Sequence, residues 1–359
     1  MVRTGRRAER RRTLAHLMRV ADLSTSHLSF VDDEMPGITR RRIGRAFGYF
    51  TPKGKRITDR DEIDRLNGIG LPPAYTDAWF CPNPNGHIQA IGWDERGRKQ
   101  YRYHPDFRAA QDAAKYDRCA AFGEKLPRLR ARVEKDLKRP SLGKDKACAA
   151  VVRLLDLSKV RVGNEAYAQD NRSFGATTLR KRHVDVKGRT LKLEFRAKSG
   201  KTCRIRLSDA SLLRFVKRMQ DLRGQHLFRW IDDAGAANPV TSTDVNAYIR
   251  EAMDADFTAK HFRTWGASVV AFRELFDAKG DIGLKAMLAA VSEELGNTPA
   301  IARKSYVHPA LIDLAKSGTR WDPDMKLPRS TRHLDRYERG LIAFLNQLDE
   351  AAADRRAAA

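Results

Sequence analysis

Tyr306 is the candidate nucleophile of this sequence and stands in the segment GNTPAIARKSYVHP. Thr298 is a natural N-cap and Pro299 suits the first helical position, so the segment predicts a short helix with Tyr306 two turns further along. A tyrosine hydroxyl can attack a phosphodiester when nearby positive charge favours the phenolate. Because a tyrosine at such a position is more often a core residue, the prediction depends on which cations surround it.

Four basic residues are candidates to bind a phosphate. Lys260 and Arg263 stand three residues apart in AKHFRTWGAS, on one face of a predicted helix. Arg161 precedes Gly163 just after another predicted helix, where a guanidinium can bind a phosphate through two hydrogen bonds. Lys198 occupies the turn AKSGK between two predicted strands. Each of these residues, taken alone, is more often a solvated surface cation.

The composition favours a nucleic acid as the partner. Lys and Arg number 69 against 45 Asp and Glu, which gives a formal net charge of +24. No apolar run approaches the roughly 20 residues of a membrane-spanning helix. Neither GxxxxGK[ST] nor HExxH occurs, so the sequence predicts neither nucleoside triphosphate hydrolysis nor a metal centre of that type. The four widely spaced cysteines indicate a reducing, intracellular setting rather than a disulfide framework.

The sequence predicts an α+β protein in three parts. Residues 1–37 are predicted to be a basic, flexible arm. Residues 38–105 show short alternating runs punctuated by Gly and Pro, which predict a small β-rich domain. Residues 106–359 are predicted to be mainly helical, with three antiparallel strands over 183–207. Apolar spacing predicts helices at about 144–157, 209–222, 243–253, 258–278, 283–294 and 333–352.

Four segments, taken in order, resemble the catalytic signature of the type IB DNA topoisomerases. They are KVRVGNEAY, FRAKSGK, KHFRTWGAS and GNTPAIARKSYVHP, and they look most like the compact poxvirus-like and bacterial members. Four ordered motifs over roughly residues 40–310 are more specific than any one of them. The resemblance implies a helical catalytic domain of the kind shared with tyrosine recombinases, which would close with the N-terminal domain as a clamp around duplex DNA.

The resemblance also implies a role for each matched residue. Tyr306 would be the nucleophile, and Arg161 and Arg263 would clamp the phosphate. Lys198 would protonate the leaving oxygen, and Lys260 matches a second lysine on the phosphate side.

Asn297 departs from the commonest family pattern, since many members have a histidine nine residues before the nucleophile. Its amide can donate a hydrogen bond to a non-bridging phosphate oxygen, but it cannot act as a general acid or base. We therefore expect Asn297 to stabilise the transition state, and we do not expect His308 to replace the missing imidazole.

Further contacts with DNA are expected in both halves of the chain. Tyr167, with Gly163 between it and Arg161, matches a position that contacts the DNA backbone in this family. The segment RKQYRYH is a candidate for groove contact from its own residue types, with Arg98, Tyr101 and Tyr103 as the contacts.

The function implied by the resemblance is relaxation of supercoiled duplex DNA through a 3′-phosphotyrosine intermediate. It would need no ATP, metal or other cofactor, and we expect a monomer in the cytoplasm that is associated with the nucleoid and not with a membrane. Two alternatives stay open. A tyrosine recombinase uses similar residues, although its second arginine typically follows an HxxR pattern and Lys260 stands at that position here. A non-catalytic basic nucleoid-binding protein would need only the charge of +24.

Overall fold

The computed structural model describes residues 27–95, 97–317, 321–322 and 324–357. The chain forms two compact units, of which the first ends at Asp117 and the second begins at Arg118. The sequence placed this boundary near residue 105. The helix Pro105–Asp117 belongs to the first unit because Phe107 packs against aromatic rings of that unit, with ring centres 4.9 Å from His87 and 5.6 Å from Tyr103.

The first unit is built on a five-stranded antiparallel sheet in which the second strand of the chain lies at one edge, followed by the first, third, fourth and fifth. Leu66 of its first helix packs with Tyr49 and Phe80 of the sheet in a small core. The β-rich N-terminal domain is therefore confirmed. Its elements are β1 (Ile38–Ile43), β2 (Ala46–Phe50), α1 (Arg60–Gly68), β3 (Thr76–Phe80), β4 (Ile88–Trp93), β5 (Lys99–Tyr103) and α2 (Pro105–Asp117).

The predicted flexible arm overlaps the folded part of the first unit. The backbone of Ser29 donates to the Asn85 carbonyl and accepts from the His87 N–H, each at 2.8 Å. The indole N–H of Trp79 donates to the Met35 carbonyl at 3.0 Å. Residues 28–37 therefore belong to the packed unit because their backbone groups find partners on the sheet, whereas residues 1–26 lie outside the described part of the chain.

The second unit is mainly helical, and the α+β fold class is confirmed. Three antiparallel strands form one sheet in sequence order where the alternation predicted them, and a short strand pair accompanies them. No described helix is both long and apolar enough to cross a membrane. The helices are α3 (Cys119–Leu137), α4 (Lys144–Ser158), α5 (Glu165–Asn171), α6 (Ala210–Asp221), α7 (Ser242–Met253), α8 (His261–Asp277), α9 (Leu284–Leu295), α10 (Pro299–Ser305), α11 (Pro309–Ser317) and α12 (Arg336–Ala357), and the strands are β6 (Val184–Lys187), β7 (Thr190–Arg196), β8 (Thr202–Leu207), β9 (Arg229–Ile231) and β10 (Ala237–Pro239).

Helix α8 runs through the core of the second unit. Its residues from Phe262 to Ser268 are all buried, and Trp265 is among the largest fully buried side chains. Gly123 of α3 permits this packing, since a Cβ atom there would lie only 2.3 Å from the Trp265 ring. Arg263 is therefore a charged residue inside the core, and it must find its partners within the protein.

Candidate active site

Tyr306 caps the C-terminal end of helix α10. The Thr298 hydroxyl accepts a hydrogen bond from the Ile301 N–H at 3.4 Å, and Pro299 takes the first helical position, as the sequence predicts. The Tyr306 N–H donates to the Ala302 carbonyl at 3.0 Å. The short helix thus fixes the backbone of Tyr306, whose half-buried ring lies with its centre 4.7 Å from the guanidinium carbon of Arg263.

Arg161 is held in an extended segment that follows helix α4. Its carbonyl accepts a hydrogen bond from the Ala176 N–H at 2.9 Å. Gly163 makes this approach possible, because its φ is +96° and a Cβ atom there would lie 3.0 Å from the Thr178 hydroxyl. Gly163 therefore has a conformational role in positioning Arg161, and its contact with DNA stays a prediction.

Arg263 is only 4% exposed and is oriented by two backbone carbonyls and one amide. Its Nη1 donates to the Lys159 carbonyl, and its Nη2 donates to the Leu295 carbonyl at 3.2 Å and to Asn297 Oδ1 at 2.9 Å. Its Nε is buried without a hydrogen-bond partner among the described residues. The guanidinium is thus fixed by the protein while one donor is left for a ligand.

Asn297 joins the two arginines through its side-chain oxygen. Oδ1 accepts from Arg263 Nη2 at 2.9 Å and from Arg161 Nη2 at 3.3 Å. Because guanidinium groups only donate, these contacts identify the oxygen of the amide and leave Nδ2 as its donor side. Nδ2 is buried and has no partner in the described part of the chain. Next to two cations, such an N–H is suited to donate to an anion.

The two arginines also change the acidity of the tyrosine. Burial alone would raise the pKa of the Tyr306 hydroxyl, but the charges and hydrogen bonds of Arg263 and Arg161 outweigh burial and lower that pKa below its ordinary value. The contribution of Arg263 is the larger of the two. The phenolate, which is the nucleophilic form, is therefore easier to reach at this site than in a free tyrosine.

The β7–β8 hairpin carries Lys198 at its tip. Phe195 pairs with Cys203 across the two strands, and a turn of 3₁₀ helix, Lys198–Gly200, forms the tip. Burial raises the pKa of the Cys203 thiol, while the charges of Arg263 and Arg161 oppose that rise, which places Cys203 within their field. The exposed Lys198 thus lies at the tip of the hairpin whose second strand carries Cys203, and its role toward the phosphate stays a prediction. Sequence analysis missed Cys203, since nothing marks an isolated cysteine in a strand.

Lys260 and Arg263 occupy different environments, although the sequence placed them on one face. Lys260 is the exposed N-cap residue of α8, whereas Arg263 is buried. Burial lowers the pKa of both His261 and His308 to about 4, so both imidazoles are neutral at physiological pH. The backbone N–H of Ala310 donates to His308 Nδ1 at 3.3 Å. The backbone thus holds Nδ1 of His308, and the expectation that His308 does not replace an imidazole beside the phosphate stays a prediction.

The other candidate DNA contacts lie apart from the tyrosine cluster in the sequence. Tyr101 and Tyr103 on strand β5 are 40% and 45% exposed, and their rings stack with centres 5.9 Å apart. Arg98 forms an ion pair with Asp94 at 2.7 Å in the preceding turn. These residues belong to the first unit, whereas the tyrosine cluster belongs to the second. The side chain of Tyr167 lies outside the described part of the structure.

Three metal-ligating side chains meet in the first unit. Ligand atoms of His27, His104 and Asp106 all lie within 4.8 Å of one another. His27 Nε2 lies 3.1 Å from Asp106 Oδ2, which is an ordinary hydrogen-bond distance between exposed side chains. A hydrogen bond accounts for this contact.

The sequence matches two family models that together span most of both units. Residues 104–305 match the model described as "Eukaryotic DNA topoisomerase I, catalytic core", and residues 46–94 match "Bacterial DNA topoisomerase IB, N-terminal domain". The first match ends one residue before Tyr306.

Two viral relatives support the same assignment. The chain is 32% identical over 295 residues to "DNA topoisomerase 1B" of Acanthamoeba polyphaga mimivirus, a match that covers 78% of this chain and 88% of the relative. It is 21% identical over 241 residues to "DNA topoisomerase 1B" of vaccinia virus (strain Western Reserve), covering 63% and 72%. Among solved structures, the XerH site-specific recombinase bound to palindromic difH substrate has a TM-score of 0.34 at 15% identity, over 50% of this chain and 47% of that one.

The catalytic-core match and the mimivirus relative define an enzyme that acts on DNA. More particularly, the chain belongs to the type IB DNA topoisomerase family. This membership favours a topoisomerase over the recombinase and over the non-catalytic nucleoid-binding protein.

Proposed function

We propose that this enzyme relaxes supercoiled duplex DNA by cutting one strand, letting the free end swivel and rejoining it. The observation that best supports the proposal is the geometry of the cluster: the Arg263 guanidinium carbon lies 4.7 Å from the centre of the Tyr306 ring, and Arg161 and Arg263 share the oxygen of Asn297. The charges of the two arginines lower the pKa of Tyr306. An acidified hydroxyl among fixed cations is the arrangement that attack on a phosphodiester needs.

The proposed cleavage is a transesterification. The Tyr306 oxygen attacks phosphorus, and the new P–O bond forms as the bond to the 5′ oxygen breaks, which leaves a 3′-phosphotyrosine and a free 5′-hydroxyl. The phenol proton passes to solvent, and Lys198 protonates the departing 5′ oxygen. Religation reverses each step. Because one ester replaces another, no ATP is consumed.

The remaining cluster residues would stabilise the charge that builds up on the phosphoryl oxygens. Arg263 Nε and Asn297 Nδ2 are buried donors without partners among the described residues, and we propose that both donate to non-bridging oxygens. Arg161 would act as the second guanidinium clamp, and Lys260 as a further cation from its exposed position. Each preorganised donor of this kind is worth about 2.7 to 4 kcal/mol.

DNA binding is proposed to depend largely on the surplus of basic residues. A net charge of +24 neutralises many phosphates, so affinity should fall steeply as salt rises. The exposed rings of Tyr101 and Tyr103 are proposed to contact a groove, and Tyr167 and Gly163 the backbone. We propose that a monomer carries out the reaction, in the cytoplasm and at the nucleoid.

The proposed function predicts that the purified chain relaxes a supercoiled plasmid in EDTA without ATP. The plasmid should carry no recombination site, so that a recombinase would leave it supercoiled. Agarose gels resolve the topoisomers, and covalent complexes trapped with detergent should carry DNA through its 3′ phosphate. A folded protein that binds the plasmid yet leaves it supercoiled would contradict the proposal.

Asn297 offers a second test, because the family histidine can also donate a hydrogen bond. We expect Asn297→His to keep relaxation within about tenfold of the wild type, whereas Asn297→Ala removes the donor and should slow cleavage roughly 10²- to 10³-fold. Asn346→Ala is a matched control, since that amide donates a hydrogen bond to Glu124 at an exposed site. Complete loss of relaxation in a folded Asn297→His variant would show that the amide itself is needed.

A further inference from the structure

We infer that Glu338 of the C-terminal helix α12 is a positioning residue for Arg263, acting through a buried charge cluster of Arg130, Asp156 and Glu338. The inference rests on the proposed function, because Arg263 is proposed there to clamp the phosphate. It assigns a role to a segment that lies beyond the catalytic-core match, which ends at residue 305.

The cluster is centred on the guanidinium of Arg130 in helix α3. Its Nε and Nη2 each donate to the Asp156 carboxylate at 2.8 Å, and its Nη1 and Nη2 each donate to the Glu338 carboxylate at 2.8 Å. The three side chains are only 16%, 8% and 9% exposed in the order Arg130, Asp156, Glu338. One arginine thus ties together three helices, α3, α4 and α12.

One branch of the cluster leads to a carbonyl that holds Arg263. Asp156 lies in the last turn of α4, and Lys159 caps that helix in the left-handed conformation, with a φ of +53°. The Lys159 ammonium donates to the Asp156 carbonyl, and the Lys159 carbonyl accepts from Arg263 Nη1. A shift of Asp156 would therefore move an acceptor that orients the guanidinium of Arg263.

A second branch leads to the helix that carries Arg263. The Trp265 indole N–H donates to Glu338 Oε1 at 3.2 Å, and Trp265 follows Arg263 by two residues in α8. Glu338 is also fixed from its own helix, because its Oε2 accepts the Asp335 N–H at 3.0 Å and its N–H donates to Asp335 Oδ1 at 2.8 Å. Glu338 therefore contacts Trp265 directly, and it reaches the Lys159 carbonyl that orients Arg263 only through Arg130 and Asp156.

Through these contacts the C-terminal helix α12 helps to orient the residues of the site, in addition to packing against the core. A buried cluster of charges tolerates little displacement, since each group depends on the others for its hydrogen bonds. In a reaction that depends on orientation, a shift of about 1 Å can slow the chemical step by up to roughly 10²-fold. The expected signature is slower cleavage with unchanged affinity for DNA.

The test compares Glu338→Gln with Trp265→Phe in the full-length chain. Glu338→Gln removes a carboxylate that Arg130 and Trp265 share, and Trp265→Phe removes only the indole donor. We expect single-turnover cleavage at saturating DNA to slow roughly 10- to 100-fold in Glu338→Gln and less in Trp265→Phe. The Kd for DNA should stay within about twofold. The rising limb of the pH–rate profile should move to higher pH, because a displaced Arg263 acidifies Tyr306 less.

A matched control is Glu124→Gln, which changes an exposed carboxylate on the same helix α3 that accepts a hydrogen bond from the Asn346 amide of α12. That variant should cleave at the wild-type rate. Thermal unfolding followed by circular dichroism separates an effect on stability from an effect on positioning. If Glu338 has only a structural role, the variant should have a lower Tm. Its cleavage rate and pH profile should then equal those of the wild type at a temperature where the variant is folded. A lower Tm with an unchanged cleavage rate and pH profile in both Glu338→Gln and Trp265→Phe would overturn the inference. Failure of the wild type to form any covalent complex would instead overturn the proposed function.

Discussion

Tyr306→Phe is expected to abolish both plasmid relaxation and the covalent complex with DNA, while leaving DNA binding intact. The change removes a single oxygen, and phenylalanine keeps the ring that lies 4.7 Å from the Arg263 guanidinium carbon. Phenylalanine has no hydroxyl that could form the phosphotyrosine, so the loss should be at least about 10⁴-fold and in practice reach the detection limit. The measurement is detergent-trapped complex on denaturing gels, in parallel with plasmid relaxation.

Tyr75→Phe is the matched control for that experiment. Tyr75 is a partly buried tyrosine packed against the core of the first unit. Its variant should relax plasmid at the wild-type rate, and both variants should show the same salt-dependent binding to duplex DNA. A covalent complex that survives in Tyr306→Phe would identify a different nucleophile and remove the central residue from the mechanism.

Local signals in the sequence predicted much of the frame around the site. The Thr298–Pro299 pair marks the start of helix α10 correctly, because an N-cap and a proline at the first position act over a single turn. Alternation over 183–207 predicts the three strands that carry Lys198 at a turn. Such patterns depend only on neighbouring residues, which is why they can be recognised without the fold.

These local patterns could not predict contacts between segments that are distant in the sequence. The helical spacing put Lys260 and Arg263 on one face, but Arg263 is enclosed by core residues and Lys260 lies at the exposed start of α8. The double acceptor role of Asn297 depends on Arg161, 136 positions away, and on Arg263, 34 positions away. Only the folded chain brings these three side chains together. The sequence therefore predicted that the Asn297 amide donates a hydrogen bond, but not that its oxygen accepts from both arginines.

Arg263→Ala is expected to slow single-turnover cleavage by roughly 10²- to 10³-fold, the effect of removing one preorganised donor. The variant loses a donor toward the phosphate and the positive charge that has the larger effect on the pKa of Tyr306. Arg263→Lys restores a charge but not the planar fork that spans the Leu295 carbonyl and Asn297, so it should recover only part of the rate.

Arg229→Lys controls for the structural effect of altering a buried arginine. Arg229 is 3% exposed, and its Nη2 donates to the carbonyls of Met219 and Leu222 at 3.1 and 3.0 Å. The substitution should lower Tm, because leaving buried acceptors unpaired costs about 1 to 3 kcal/mol, yet it should leave the cleavage rate unchanged. Loss of cleavage in both variants to the same extent would mean that Arg263 acts through stability alone.

The pH dependence of cleavage separates the two contributions of Arg263. In the wild type the guanidinium charges lower the pKa of Tyr306 against the effect of burial, so the phenolate forms at lower pH than in a free tyrosine. Without Arg263, burial acts against Arg161 alone and the pKa of Tyr306 must rise.

The rising limb of the pH–rate profile should therefore move to higher pH in Arg263→Ala, and raising the pH should recover part of the lost rate. The unrecovered part measures the hydrogen bond to the phosphate, because that interaction does not depend on the protonation of the tyrosine. A profile of unchanged position with a uniformly lower rate would show that Arg263 stabilises the phosphoryl oxygens without acidifying the nucleophile.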